Sequence, residues 1–90
     1  MNKLTRKEVY NAIDGERDYQ DKKWNYDTTP SEGKHSVAEW MVYIQDYLTE
    51  GMHLVSRNAD PEAIRLGTDS IRKIGAMCVA CMEQNGVDLR

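Results

Sequence analysis

The chain has 90 residues, a formal net charge of −3 and a sequence pI near 5.3. We expect one small domain spanning residues 1–90, and because a chain of this length buries only about 60–65% of its unfolded surface, we expect a homo-oligomer. The acidic balance argues against a nucleic-acid polymer as partner, and no apolar run approaches the roughly 20 residues of a membrane span. Two cysteines and no secretory signal predict free thiols and a cytoplasmic location.

The first predicted helix begins after Thr5 and ends near Trp24. Thr5 and Glu8 have the spacing of a capping box, in which each side chain bonds the backbone amide of the other residue. Arg17 falls on the charged side of this helix, which we expect to face solvent. The opposite side is marked at helical spacing by Val9, Ile13, Gln20 and Trp24, with Tyr10 and Tyr19 alongside. Residues 25–35 are rich in turn formers, have no period and predict a loop.

The second predicted helix runs from Ser36 to about Arg57, and Ser36 with Glu39 predicts a second capping box. Its apolar residues recur at the spacing of one buried helical stripe. That stripe consists of Val37, Trp40, Met41, Ile44, Leu48, Met52 and Val55. Asp46 and Glu50 lie beside it, one turn apart and therefore on one face.

The last part of the chain predicts a short helix over Pro61–Leu66 and a main helix over Asp69–Gln84. Asn58 is the expected left-handed cap of the preceding helix, and Asp60 is the expected N-cap of the short one. Gly67-Thr68 is expected to interrupt the pattern, with Thr68 capping the main helix and Gly86 ending it. The predicted fold class is therefore all-α: an antiparallel bundle of three long helices plus a short one, completed by oligomerisation.

Cys78 and Cys81 form a CxxC pair, which raises the question of a zinc or redox role. One pair supplies two of the four ligands that a structural zinc needs, and neither histidine stands at ligand spacing. The pair also lies deep inside an apolar helix pattern. We interpret these cysteines as small buried hydrophobic residues.

Charged residues on all three predicted helices are candidates for a site. On spacing alone, all of them are expected to lie on solvated faces; Asp69 and Lys73, for example, have the spacing of a surface ion pair worth about 0.3–0.5 kcal/mol. The candidates are Glu16, Arg17, Gln20, Lys23, Asp46, Glu50, Asp69, Arg72 and Lys73.

Three stretches together resemble a known family. They read Glu16-Arg17-x-x-Gln20-x-x-Lys23-Trp24, then His35-Ser36-x-x-Glu39-Trp40-Met41, and finally Val-Ala-Cys-Met-Glu-Gln at the end of the last helix. From about Val9 to Gly86 the chain resembles small phage-type proteins related to MazG, which belong to the all-α nucleoside-triphosphate pyrophosphatase superfamily.

The resemblance implies two acidic clusters that hold Mg²⁺ against a triphosphate in that superfamily. The first, EExxE, corresponds to residues 46–50, where Asp46 and Glu50 remain and Tyr47 replaces the middle acid. The second, ExxD, corresponds to residues 69–73, where Asp69 remains and the closing acid is replaced by Arg72 or Lys73. A cation in place of a ligand carboxylate repels a metal ion but binds phosphate directly.

We therefore expect a protein that binds a nucleotide or nucleotide-derived signal without hydrolysing it and without a required cofactor. A phage-type protein of this kind could sequester a host immune signal, such as a cyclic nucleotide or an ADP-ribose derivative. Arg17, Lys23, Arg72 and Lys73 are the expected phosphate contacts. Trp24 or Tyr47 is expected to stack on a base, and Asp46 or Glu50 to contact ribose or base edges.

Two alternatives stand beside this expectation. The first is a divergent Mg²⁺-dependent pyrophosphohydrolase that cleaves a nucleoside triphosphate to monophosphate and diphosphate, with Asp46, Glu50 and Asp69 on the metal. The second is an oligomeric scaffold without a small ligand, in which Asp46, Asp69 and Arg72 would form no common pocket.

Overall fold

The computed structural model of the chain describes residues 3–24, 34–57 and 60–90. In these ranges it contains three α-helices and no β-strand: α1 (Arg6–Lys23), α2 (Val37–Arg57) and α3 (Pro61–Asn85). The predicted all-α class is confirmed. The predicted loop, apart from residues 34 and 35, and the predicted Asn58 cap lie outside the described residues. None of the described helices is long and apolar enough to cross a membrane.

Both predicted capping boxes are present. Thr5 Oγ1 accepts from the backbone amide of Glu8 at 3.2 Å, and Glu8 Oε1 accepts from the amide of Thr5 at 3.0 Å. Ser36 and Glu39 make the same reciprocal pair at 3.2 and 2.9 Å. The starts of α1 and α2 are therefore encoded locally, because each box satisfies two amides that no preceding turn can reach.

The predicted division of α3 into two helices is wrong, because α3 is continuous from Pro61 to Asn85. Thr68 is not a cap: its hydroxyl donates to the Ile64 carbonyl one turn back, at 3.1 Å. The predicted Asp60 cap is confirmed by its bond to the Ala63 amide at 2.8 Å. Gly86 ends the helix as predicted, with a φ of 87°.

Two glycines let α2 and α3 pack closely together. A Cβ added to Gly51 would lie 2.9 Å from Ser70 Cβ, and one added to Gly67 would overlap the Val55 side chain. Gly67 therefore does not break α3; it makes room for α2. The end of α2 contacts the start of α3, and Trp40 near the start of α2 bonds Gln84 near the end of α3. The two helices thus run in opposite directions.

The predicted buried stripe of α2 is wrong in most of its members. Trp40 is buried and Ile44 half-buried, whereas Val37, Met41, Leu48, Met52 and Val55 are exposed, from 36% for Leu48 to 64% for Met41. The helix is rotated relative to the prediction. Its line of contact with α3 includes Tyr47, packed on the core, and Gly51, buried against Ser70.

The hydrophobic core is small and centres on α3. Trp40, Met77 and Ala80 form a buried cluster, against which Trp24, Ile44, Tyr47 and Cys81 pack. Met77, at 1% exposure, is the largest side chain in the described residues that is fully buried. Helix α3 packs against both α1 and α2, whereas α1 and α2 make no direct helix–helix packing in the described ranges. The core therefore depends on α3 as the shared element.

The segment before α2 is tied to the end of α3 by hydrogen bonds. Gln84 Oε1 accepts from the His35 backbone amide at 3.0 Å and from Trp40 Nε1 at 2.9 Å. Asn85 Nδ2 donates to the His35 carbonyl at 3.1 Å. The rings of His35, Trp40 and Tyr43 meet edge to face, with centroids 5.1–6.3 Å apart. The hydrogen bond to Gln84 satisfies the indole N–H of the buried Trp40.

Candidate functional site

The face of α1 that packs on α3 carries buried polar groups. Glu16 and Gln20 are buried, at 9% and 3% exposure. Trp24 follows Gln20 by one turn, so the three residues share one side of the helix. Ile13 packs on Gly75 just before them. A small domain with so little apolar core is expected to place apolar residues here, and this polar stretch is therefore the first candidate for a functional site.

Glu16 is held by an arginine of α3. Arg72 Nε donates to Glu16 Oε1 at 2.9 Å, and Arg72 Nη1 donates to Asp69 Oδ1 at 3.0 Å. Arg65 extends the chain of charges, with Nη1 3.8 Å from Asp69 Oδ2. No hydrogen bond or ion pair among the described residues uses Arg72 Nη2. The Arg72 guanidinium is thus flanked by two carboxylates and retains one unused donor group.

The Gln20 side chain makes one hydrogen bond in the described part of the chain. Its Nε2 donates to the backbone carbonyl of Lys73 at 3.1 Å. Its Oε1 is buried and has no hydrogen-bond partner in the described part of the chain. A buried acceptor without a donor costs about 1–3 kcal/mol. The Lys73 side chain on the same turn of α3 is exposed, and no described residue pairs with its ammonium group.

Trp24 and Tyr47 form an aromatic pair between the end of α1 and α2. Their ring centroids are 6.3 Å apart and their planes meet at 74°. Lys23 Nζ lies 5.7 Å from the centroid of the Trp24 ring. Both rings are half-buried and pack on the core cluster, so their edges rather than their full faces are accessible. The two predicted stacking residues and one predicted phosphate contact, Lys23, thus lie next to one another.

Arg17 does not face solvent as predicted, since its side chain is only 14% exposed. Its Nε donates to Glu83 Oε1 at 2.7 Å, and its Nη1 donates to Asp21 Oδ1 at 2.6 Å. Partial burial lowers its pKa, but these two carboxylates outweigh that effect and raise it. Arg17 thus joins α1 to α3, and two carboxylates already neutralise its charge.

The three predicted metal ligands are in different environments. Asp46 and Glu50 are exposed on α2 and make no ion pair in the described ranges, whereas Asp69 is paired with Arg72. No group of three or more His, Cys, Asp or Glu side chains among the described residues could hold a metal ion. A magnesium ion on Asp46, Glu50 and Asp69 therefore stays a prediction, and Asp69 would have to leave Arg72 to join it.

The cysteines are free, and both are half-buried. Cys81 packs against the core cluster, as expected for a small hydrophobic residue. Burial raises the pKa of Cys78, with a smaller contribution from Cys81 nearby. A raised pKa keeps the thiol protonated at neutral pH and lowers its nucleophilic reactivity.

Sequence reasoning assigns no ligand contact to the buried pair at the centre of this site, although it places Gln20 on the same side of α1 as Trp24. Glu16 and Gln20 were among the charged and polar candidates, but the expected ligand contacts did not include them. The available signal was their spacing: Glu16, Gln20 and Trp24 recur every four residues, which places two polar side chains on the face that carries Trp24.

Comparisons of the chain with models of protein families, with curated proteins and with solved structures found no match. The resemblance to MazG-related proteins therefore stays a prediction.

Proposed function

We propose that this chain binds a nucleotide or nucleotide-derived signal and holds it without hydrolysis, as a phage-type, MazG-like protein that sequesters the signal. The observation that carries the proposal is the buried Oε1 of Gln20, which has no hydrogen-bond partner among the described residues. Side-chain amides commonly recognise base edges, because they offer one acceptor and two donors in a fixed plane. A ligand amino group that reaches this oxygen would recover the free energy lost by leaving it unpaired.

The surrounding groups supply the other contacts that a nucleotide needs. The exposed Lys73 ammonium and the unused Nη2 of Arg72 can donate to phosphate oxygens. Trp24 and Tyr47 offer aromatic edges for the base. Lys23 lies beside Trp24, whereas Asp21 and Glu83 already neutralise the charge of Arg17. We assign the phosphate mainly to Lys73, because two carboxylates already neutralise Arg72.

The alternative is a divergent Mg²⁺-dependent pyrophosphohydrolase. One observation favours it: Asp46 and Glu50 are exposed on one face of α2 and are not engaged by any described cation. They could bind a cation without first giving up a partner. Asp69, in contrast, would have to leave Arg72 at 3.0 Å. We therefore place this alternative second.

The test measures binding and turnover together. Purified protein is incubated with a panel of nucleotides, cyclic nucleotides and ADP-ribose derivatives, with and without Mg²⁺, while thermal shift and diphosphate release are followed. The proposal expects a metal-independent rise in unfolding temperature without diphosphate release. Diphosphate release that Asp46→Asn abolishes would establish the alternative, and absence of both signals would refute both.

A matched pair of variants locates the site. Gln20→Leu keeps much of the side-chain volume but removes the acceptor, so we expect the ligand-induced shift to disappear. Gln45→Leu makes the same change at an exposed position on α2 and should leave the shift unchanged. An unaltered shift in Gln20→Leu would contradict the assignment of the ligand to this amide.

We also propose that the antiparallel helical bundle is completed by oligomerisation, as the small core suggests.

A further inference from the structure

The side-chain amide of Gln20 has a fixed orientation in the contact between α1 and α3. Its Nε2 donates to the backbone carbonyl of Lys73 at 3.1 Å. A carbonyl oxygen only accepts hydrogen bonds, so the amide has to turn its NH2 group, and not its oxygen, towards this carbonyl. The other end of the amide, Oε1, is buried and has no hydrogen-bond partner among the described residues. The amide therefore presents an acceptor that needs a donor from a ligand.

The depth of this oxygen limits the kind of donor that can reach it. Gln20 is only 3% exposed, so the donor has to project beyond the body of the ligand that carries it. The exocyclic amino groups of adenine, cytosine and guanine project from the ring in this way. Uracil and hypoxanthine carry carbonyl oxygens outside the ring instead, and their donors are ring N–H groups that lie beside these oxygens.

A carbonyl oxygen cannot take the place of the amino group at this position. Two acceptors that face each other repel, and each has given up its hydrogen bonds to water. Glutamine can read uracil when its NH2 group and its oxygen face the base together, because uracil offers an acceptor beside its ring N–H. The NH2 group of Gln20 is engaged by Lys73 inside the helix contact, so the oxygen alone is offered to a base.

We propose that the ligand of this site carries a base with an exocyclic amino group, as adenine, cytosine and guanine do, and that this group donates to Gln20 Oε1. The site then rejects uracil and hypoxanthine. This inference rests on the proposed function and names the class of base that it selects. Trp24 lies one turn after Gln20 on the same side of α1 and is half-buried, so the edge of its ring is available to the base.

The test compares ligands in which a carbonyl oxygen replaces this amino group. The pairs are ATP with ITP, CTP with UTP, cyclic AMP with cyclic IMP, and ADP-ribose with inosine diphosphate ribose, each titrated into wild-type protein by calorimetry without Mg²⁺. Within every pair that binds, the member without the amino group should bind at least about tenfold more weakly, because it leaves the buried acceptor unpaired. N6,N6-dimethyl-ATP should bind as weakly as ITP, because it keeps the nitrogen but has no hydrogen to donate.

Two glutamine variants test whether Gln20 makes this selection. In Gln20→Leu, any binding that remains should be equal within each pair. Gln45→Leu makes the same change at an exposed position on α2 and should keep the difference. Equal affinities within the pairs for the wild-type protein would overturn this inference and leave the proposed function standing. Absence of binding by every ligand would overturn both, and a difference that survives in Gln20→Leu would overturn the assignment to Gln20.

Discussion

Because α2 packs closely on α3, we expect a glycine-to-alanine substitution to have opposite effects on stability at two positions, Gly15 and Gly67. Glycine in the middle of a helix is less stable than alanine by about 0.5–1 kcal/mol. Gly15 on α1 is exposed, and a Cβ added there has no neighbour within 4 Å. Gly15→Ala should therefore stabilise the chain by about that amount. Gly67 is helical too, but its added Cβ would overlap the Val55 side chain.

At Gly67 two opposing contributions decide whether alanine raises or lowers the free energy of unfolding. The gain in helix propensity is at most about 1 kcal/mol, whereas overpacking of a helix contact costs about 1–3 kcal/mol. Val55 is β-branched and cannot swing aside without leaving its preferred rotamer. It is 47% exposed, however, so α2 can shift outward in part. We expect Gly67→Ala to lower the free energy of unfolding by about 1 kcal/mol.

Thermal and urea unfolding followed by circular dichroism measure both changes. For a chain of this size, 1 kcal/mol corresponds to about 4–8 °C in Tm, so the two variants should differ by at least that interval. Val55→Ala removes the clashing methyl groups, and the Gly67→Ala/Val55→Ala double variant should be more stable than additivity predicts. If Gly67→Ala stabilises the chain as much as Gly15→Ala does, α2 does not pack on α3 in the way described.

Three further results are expected. Arg72→Met leaves the Glu16 carboxylate buried without its partner and should lower the free energy of unfolding in urea by about 1–2 kcal/mol. This is less than the cost of breaking a fully buried ion pair, because Arg72 is 40% exposed. In the Glu16→Gln background the same change should cost much less, and equal costs would contradict the pairing. The bonds from the amide and hydroxyl of Ser36 hold the pKa of Glu39 below its ordinary value. The ionised Glu39 therefore stabilises the fold fully above about pH 4.3, and this contribution is lost as the pH falls through the folded pKa. Glu39→Gln, which keeps an acceptor, should flatten the decline of Tm between pH 5 and 3, and an unchanged decline would argue against the cap. Burial raises the pKa of Cys78. Iodoacetamide at pH 8 should therefore modify this thiol more slowly in the native chain than in urea, as followed by mass spectrometry. Equal rates would show that the thiol is not shielded.

The helix ends could be predicted from the sequence because their signals are local. Thr5 with Glu8, Ser36 with Glu39, and Asp60 with Pro61 each act within one turn, and each was confirmed. The interior of α3 could not be predicted in the same way. Gly67-Thr68 contains residue types that are typical of a helix break. The structure shows instead that Gly67 makes room for Val55 of α2, a contact that no local pattern indicates.

The side of α2 that is buried could not be predicted because apolar residues occur on more than one of its faces. Periodicity identifies an apolar line but does not say which line contacts α3. For the site, Asp69 and Arg72 lie beside Glu16, but their predicted role in ligand binding stays a prediction. The four-residue spacing of Glu16, Gln20 and Trp24 places them on one face of α1, but the burial of that face depends on where α1 lies on α3, which no local pattern specifies.

The hydrogen bonds between His35 and the end of α3 have a consequence for the dynamics of the chain. Helix ends normally fray, and their amides exchange with solvent faster than those of the interior. Here Gln84 and Asn85 in the last turn of α3 bond the backbone of His35, two residues before α2. Opening one of them exposes the other, so we expect their amides to exchange as one cooperative unit. The start of α1, which is capped only by Thr5 and Glu8, should open independently and earlier.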